Sequence, residues 1–174
     1  AYKSIQKAPK NDPKIQEALQ RVLYYMGMQS FINEDYNDAI DKLTQSIGVP
    51  SINKILALSY YWRGEAYFRQ QKYLFAAQDY EKVLVTPGIR LQEEYALAHY
   101  SLGYVYFNQK EYIRALNWFR MYVDIKDHTN TELFVDAYNR IGDCFFNQRN
   151  FKESEKAYSN AINMGNTEKE TLYS

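Results

Sequence analysis

Residues 110–119 read KEYIRALNWF, and the same rhythm returns as QKYLFAAQDY at 71–80, RNFKESEKAY at 149–158 and NEDYNDAIDKL at 33–43. Aligned on their small residue, the four words put Ala39, Ala76, Ala115 and Ser154 in register. Twelve residues before each lies a glycine: Gly27, Gly64, Gly103 and Gly142. The chain has seven glycines, so four in one register mark a repeat, with a period of 37, then 39, then 39 residues. A period of that size denotes stacked supersecondary units, each burying one face against the next.

Each unit reads as two helices. In the third, Leu97, Tyr100, Tyr104 and Phe107 recur at three- and four-residue steps, which is helical spacing. The polar run Asn108-Gln109-Lys110-Glu111 breaks the pattern, and Tyr112, Ala115, Leu116 and Phe119 open a second apolar stripe. No stretch alternates with a strand period. Asp12-Pro13 fits an N-cap followed by proline at the first helical position. Pro50 and Pro87 fall between units, where helices must stop or start. Thr129 with Glu132, and Thr167 with Glu170, have the capping-box spacing. Glycine inside a helix costs about 1 kcal/mol relative to alanine, so the register implies a need for space. The expectation is that each glycine meets the small residue twelve positions on, where the two helix axes cross.

The bulk composition narrows the function. Of the 174 residues, 46% are apolar and 24% charged, as in a globular domain, and no apolar run is long enough to cross a bilayer. Formal net charge is zero, with no Lys/Arg block of the kind that offsets phosphate charge, which argues against nucleic acid. Cys144 is the only cysteine, so an internal disulfide and a multi-cysteine metal site are excluded; a buried small hydrophobe is the expected role. His99 and His128 lie in different parts of the repeat; His99 is expected as a packed ring and His128 as a solvated loop residue. Asp35, Asp38 and Asp41, stepping at helical intervals beside Lys42, read as a solvated face and lack calcium-loop spacing. No zinc-protease, phosphate-loop or nucleophile-elbow motif occurs, so neither catalysis nor a cofactor or metal is expected. The marked bias is aromatic, at 17%, with 18 tyrosines.

The repeat resembles the tetratricopeptide repeat family, whose pattern is W-x2-L-G-x2-Y, then A-x3-F, then proline. The third unit supplies His99, Leu102, Gly103, Tyr106, Ala115 and Phe119; the second Tyr60, Arg63, Gly64, Tyr67, Ala76 and Tyr80, with a late Pro87. The fourth supplies Tyr138, Ile141, Gly142, Phe145, Ser154 and Tyr158, and the first Leu23, Met26, Gly27, Ser30, Ala39 and Leu43. Tyr36, Tyr73, Tyr112 and Phe151 open the second helices. The resemblance implies an all-α fold, a right-handed superhelical solenoid of antiparallel helix pairs. Units are expected at about 13–50, 51–88, 89–128 and 129–166. Residues 1–10 then read as the tail of a preceding unit and 167–174 as the start of a following helix, so the chain reads as a segment of a larger protein. The family period is 34 residues; the surplus here resembles bacterial envelope members, which leaves envelope, periplasm and cytoplasm open as compartments.

The family lines its concave face with first helices and holds a peptide or partner helix there. By register the resemblance places Tyr24, Tyr25 and Met28, with Arg21, on that face in the first unit. Tyr61, Trp62 and Glu65, with Leu58, follow in the second; Tyr100 and Tyr104, with Leu97, in the third; and Asn139, Arg140 and Asp143, with Asp136, in the fourth. Phe31, Phe68, Phe107 and Phe146 share one position, four residues after the glycine, and are expected to pack. The carboxylate clamp of some family members needs Lys, Asn and Arg where Tyr24, Met28, Trp62 and Leu97 stand here. The expected partner is therefore another protein or peptide, apolar or aromatic rather than acidic, and the expected function a non-catalytic interaction scaffold. The alternatives are a structural module that docks on its own chain or associates end to end, and an aromatic groove for glycan or lipid.

Overall fold

Asp12 and Pro13 open the first helix as the sequence implies: the Asp12 carboxylate accepts from Lys14 N at 2.9 Å and proline stands at the first helical position. The computed structural model describes residues 12–91, 93–125 and 131–172. These hold eight α-helices: α1 (Pro13–Ile32), α2 (Tyr36–Ile47), α3 (Asn53–Arg69), α4 (Tyr73–Val85), α5 (Glu93–Asn108), α6 (Tyr112–Val123), α7 (Thr131–Asn147) and α8 (Phe151–Leu172). A short 3-10 turn, Ile89–Leu91, precedes α5, and no strand occurs among the described residues. The all-α fold built from repeated helix hairpins is as expected.

The chain forms two compact units, residues 1–98 and 99–174, with the boundary inside α5. In the first, α1 packs on α2, α2 on α3 and α3 on α4; in the second, α6 packs on α7 and α7 on α8. Buried Leu23, Leu43, Ile55, Ala66, Tyr80 and Val83 form the core of the first unit, and Leu102, Val105, Phe119, Tyr122 and Ile141 that of the second.

The glycine register works differently from the sequence expectation. A methyl added at Gly27 would lie 2.6 Å from Leu43 Cγ, at Gly64 2.8 Å from Tyr80 Cε1, at Gly103 2.6 Å from Phe119 Cδ1, and at Gly142 2.4 Å from Tyr158 Cε1. Each glycine therefore faces a large side chain sixteen residues on, one helical turn past the expected alanine. Ala39, Ala76 and Ala115 are fully buried beside that seam. The missing Cβ makes room for Leu43 in the first hairpin and for a ring in the other three, and Ser154 Oγ donates to Gly142 O at 2.9 Å across the last crossing.

One turn geometry closes all four hairpins. Glu34, Gln71, Lys110 and Arg149 have φ near 60° (61, 58, 62 and 60°), the left-handed region that favours glycine. In each, the next residue's N–H reaches back five positions at 2.9 Å: Asp35 to Ser30 O, Lys72 to Tyr67 O, Glu111 to Tyr106 O and Asn150 to Phe145 O. This is the Schellman closure, which satisfies carbonyls that the helix end leaves unpaired. Asp35 adds an N-cap on α2, accepting from Asp38 N at 3.1 Å. Gln20, fully buried in α1, performs a remote cap on α3: its Oε1 accepts from Ile52 N at 2.7 Å and Ser51 N at 3.2 Å.

One end reading changes. Helix α8 runs unbroken through Leu172, so Thr167 and Glu170 lie inside it and no new helix starts at 167. Thr129, His128 and residues 1–10 lie outside the described residues.

Candidate functional site

In the first unit the face expected for binding divides by exposure. Tyr24 and Tyr61 are 9% and 8% exposed and belong to the core; burial, first of all, raises the Tyr24 phenol above its ordinary pKa. Tyr25 stands 62% exposed with its ring 5.3 Å from Tyr24, while Met28, Trp62 and Glu65 are half-buried. Trp62 meets the edge of Phe31 at 5.1 Å and Tyr61 at 5.5 Å. Glu65 accepts from Tyr80 Oη at 2.7 Å, so this carboxylate is already held inside its own hairpin. Outside the core on this face stand Tyr25, exposed, and Met28 and Trp62, half-buried.

In the second unit the expected residues converge on one network. Tyr100 and Tyr104 in α5 both donate to Asp136 Oδ2 in α7, Tyr100 at 2.8 Å. Arg140 Nη1 lies 2.7 Å from Asp143 Oδ2, and its Nε 3.5 Å from Asp136 Oδ1. Tyr158 in α8 donates to Asp143 Oδ1 at 2.7 Å. Arg140 also stacks over the Phe107 ring, 5.5 Å from its centroid. Two carboxylates thus enclose one guanidinium, and Tyr100, Tyr104, Asp136, Asn139, Arg140 and Asp143 are all half-exposed. Asn139 sits three residues after Asp136 and four before Asp143, on the same helical face. Burial first, then the bond to Asp136, pushes Tyr104 up to about 12 and raises Tyr100 further, so both phenols stay protonated donors.

Tyr158 completes this network and was not expected on that face, whereas register had placed Asp136 there. The legible signal was register: Tyr80 and Tyr158 both stand sixteen residues after a repeat glycine, and Glu65 and Asp143 both follow one directly. Each tyrosine bonds the carboxylate of its own hairpin.

Elsewhere the polar groups serve packing. Arg63 in α3 makes a bidentate pair with Asp79 in α4, Nε to Oδ2 at 2.8 Å and Nη2 to Oδ1 at 2.7 Å, with side chains only 16% and 5% exposed. Its Nη1 donates to Thr44 Oγ1 of the preceding hairpin at 2.9 Å. His99 is buried with its ring 5.7 Å from Trp118, as expected for a packed ring. Cys144 is fully buried and its thiol is pushed up to about 12, mainly by burial. Among the described residues no His/Cys/Asp/Glu group could hold a metal ion, and no helix is long and apolar enough to cross a membrane.

A family model described as tetratricopeptide repeat matches residues 85–130, and a second with the same description matches 135–166. No curated protein matches the chain. The crystal structure of MamA is similar, at a TM-score of 0.76 and 24% identity over 98% of this chain and 88% of that one. BtubC (BKLC) from P. vanneervenii is similar at a TM-score of 0.80 and 14% identity, covering 95% of this chain and 69% of that one. A putative kinesin light chain of nearly identical TPR-like repeats from Podosopora anserina gives 0.68 and 10%, covering 92% and 79%. At these identities the likeness concerns the fold.

Proposed function

From a chain that belongs to the tetratricopeptide repeat family, we propose a non-catalytic scaffold that binds a segment of another protein on the exposed sides of its first helices. Tetratricopeptide repeats serve in general as protein-interaction scaffolds, and the finer reading concerns where and what this chain binds. The observation that carries it is the half-open network on α5 and α7. Tyr100, Tyr104, Asp136, Arg140 and Asp143 hold one another in place, so they offer polar and aromatic surface whose order is set before a partner arrives. Arg140 is neutralised by its two carboxylates, which leaves no spare cation for an acidic tail. Exposed Tyr25 and half-buried Met28 and Trp62 favour an apolar or aromatic segment in the first unit, since such rings give large contact area at low entropy cost.

The test is a selection of peptides from a random display library on the intact chain, followed by fluorescence-polarisation titration of the winners. Asn139→Arg puts a long cation onto the α7 face without removing a mapped bond. It should weaken binding about tenfold or more, a change of ~1.4 kcal/mol. Asn117→Arg, exposed on the second helix α6, serves as the control and should leave affinity within twofold. Peptides that bind Asn139→Arg as tightly as the unaltered chain would reject this face.

A further inference from the structure

Arg63 and Asp79 put a buried charged pair where the other hairpins have none. Arg63 stands one residue before a repeat glycine, and Asp79 sixteen residues after Arg63. The same two positions hold Leu102 and Trp118 in the third hairpin, Ile141 and Ala157 in the fourth, and Met26 and Lys42 in the first. Leu102, Ile141 and Ala157 are buried, so a hairpin closes at this place with apolar side chains alone. Taking two charges out of water is costly, and an apolar pair of similar volume serves stability as well or better. Packing therefore leaves the charge in the second hairpin unexplained.

An open cleft of about 600 Å³, lined by Arg63 and Asp79, lies within the first compact unit. Sites that take small organic ligands run to about 300–1,000 Å³. The guanidinium is fixed in orientation: Nε and Nη2 donate to Asp79, and Nη1 donates to Thr44. Tyr60 from α3 and Val85 from α4 supply apolar wall, Val85 being 73% exposed. Gln78, Glu81 and Lys82 also line the cleft, on the same face of α4 at three- and four-residue steps. Glu81 and Lys82 are adjacent in sequence, and side chains one residue apart do not face each other on a helix. Both are exposed, and among the described residues neither enters an ion pair.

The lining thus carries the cations Arg63 and Lys82 and the anions Asp79 and Glu81, with no net charge. A ligand of a single sign would meet an opposing charge there, whereas one that carries both signs finds a complement for each. We propose that this cleft binds a small zwitterion, a free α-amino acid with an apolar side chain. Its carboxylate lies toward Lys82 and Arg63, its ammonium toward Glu81, and its side chain against Tyr60 and Val85. The site is built from one hairpin and does not depend on the binding of a protein segment by the first helices.

The test is a thermal-shift screen of the intact chain against leucine, isoleucine, valine, methionine and phenylalanine at millimolar concentration, since a ligand of the folded state raises Tm by mass action. Isothermal titration calorimetry of any amino acid that shifts Tm should give a Kd below about 1 mM. The matching amine without the carboxylate, and the matching acid without the ammonium, should each bind at least about tenfold more weakly. Lys82→Glu, which reverses one exposed charge, and Val85→Trp, which fills the cleft, should each weaken binding by a similar factor. Circular dichroism checks that both fold; Glu81→Lys replaces either one that does not. A panel in which no amino acid binds would overturn the proposal. So would a singly charged analogue that binds as tightly as the amino acid, or a folded Lys82→Glu or Val85→Trp chain with unchanged affinity, which would place the binding elsewhere.

Discussion

The seam between glycine and ring makes a quantitative demand at Gly103. A methyl there would lie 2.6 Å from Phe119 Cδ1 and Cε1 and 2.8 Å from Cζ. Carbon atoms rest at about 3.5–4.0 Å, so the ring must retreat by about 1 Å. It has little freedom to do so. Phe119 is fully buried and flanked by Tyr104 at 5.3 Å, Tyr100 at 6.0 Å and Phe107 at 6.5 Å. Overpacking of this kind costs about 1–3 kcal/mol, and a fully enclosed ring argues for the upper end. Alanine returns about 1 kcal/mol of helix propensity. Gly103→Ala should therefore lose about 2 kcal/mol net, which for a chain of this size lowers Tm by about 4–8 °C. Gly165 in α8, with nothing within 4 Å of an added methyl, supplies the contrast: Gly165→Ala should keep or raise Tm. Differential scanning calorimetry of both variants decides the matter. A Gly103→Ala Tm at or above that of the unaltered chain would refute the argument, because propensity would then outweigh the contact.

Three further outcomes follow from other contacts. Asp79→Ala strands the Arg63 guanidinium in a site where its side chain is 16% exposed; urea unfolding should show a loss of about 3 kcal/mol or more, with Arg63→Met/Asp79→Leu recovering most of it. Tyr104, held at about 12 in the folded chain against an ordinary 10.0, binds its proton more tightly when folded. Its contribution is therefore complete below pH 10 and drains away as pH rises toward 12; Tyr104→Phe should show a shallower fall in urea midpoint over that window. Lys110 holds φ at 62° in the hairpin turn, so Lys110→Gly relieves left-handed strain of about 1 kcal/mol; thermal melts should show no loss, and a drop of several degrees would count against the Schellman reading.

Much of the fold was legible because repetition amplifies a weak pattern: the glycine register, the hairpin count and the Asp12-Pro13 start all read directly from spacing. The glycine's true neighbour was not, because residues twelve and sixteen positions on lie one turn apart on the same helix face. A finer ambiguity, of one residue rather than one turn, affects the site. Tyr24 and Tyr25 differ by a single position, about 100° of helix, yet one is core and the other exposed. The hairpin turns were legible only as polar breaks, since Glu34, Gln71, Lys110 and Arg149 carry no glycine to mark their left-handed backbone. In the α5–α7 network register placed Tyr100, Tyr104, Asp136, Arg140 and Asp143 on one face but not their bonds, because partners thirty-odd residues apart meet only once hairpins stack.

The contact between each repeat glycine and its large partner, a ring in three hairpins and Leu43 in the first, spans sixteen residues and never leaves its own hairpin. Every hairpin consequently brings its own latch, whichever neighbours it is given. A hairpin could be excised, copied or moved along the chain as a cassette with that latch intact, and only its outer flanks would need refitting. Length, in this architecture, is a quantity the molecule can vary without redesigning its parts.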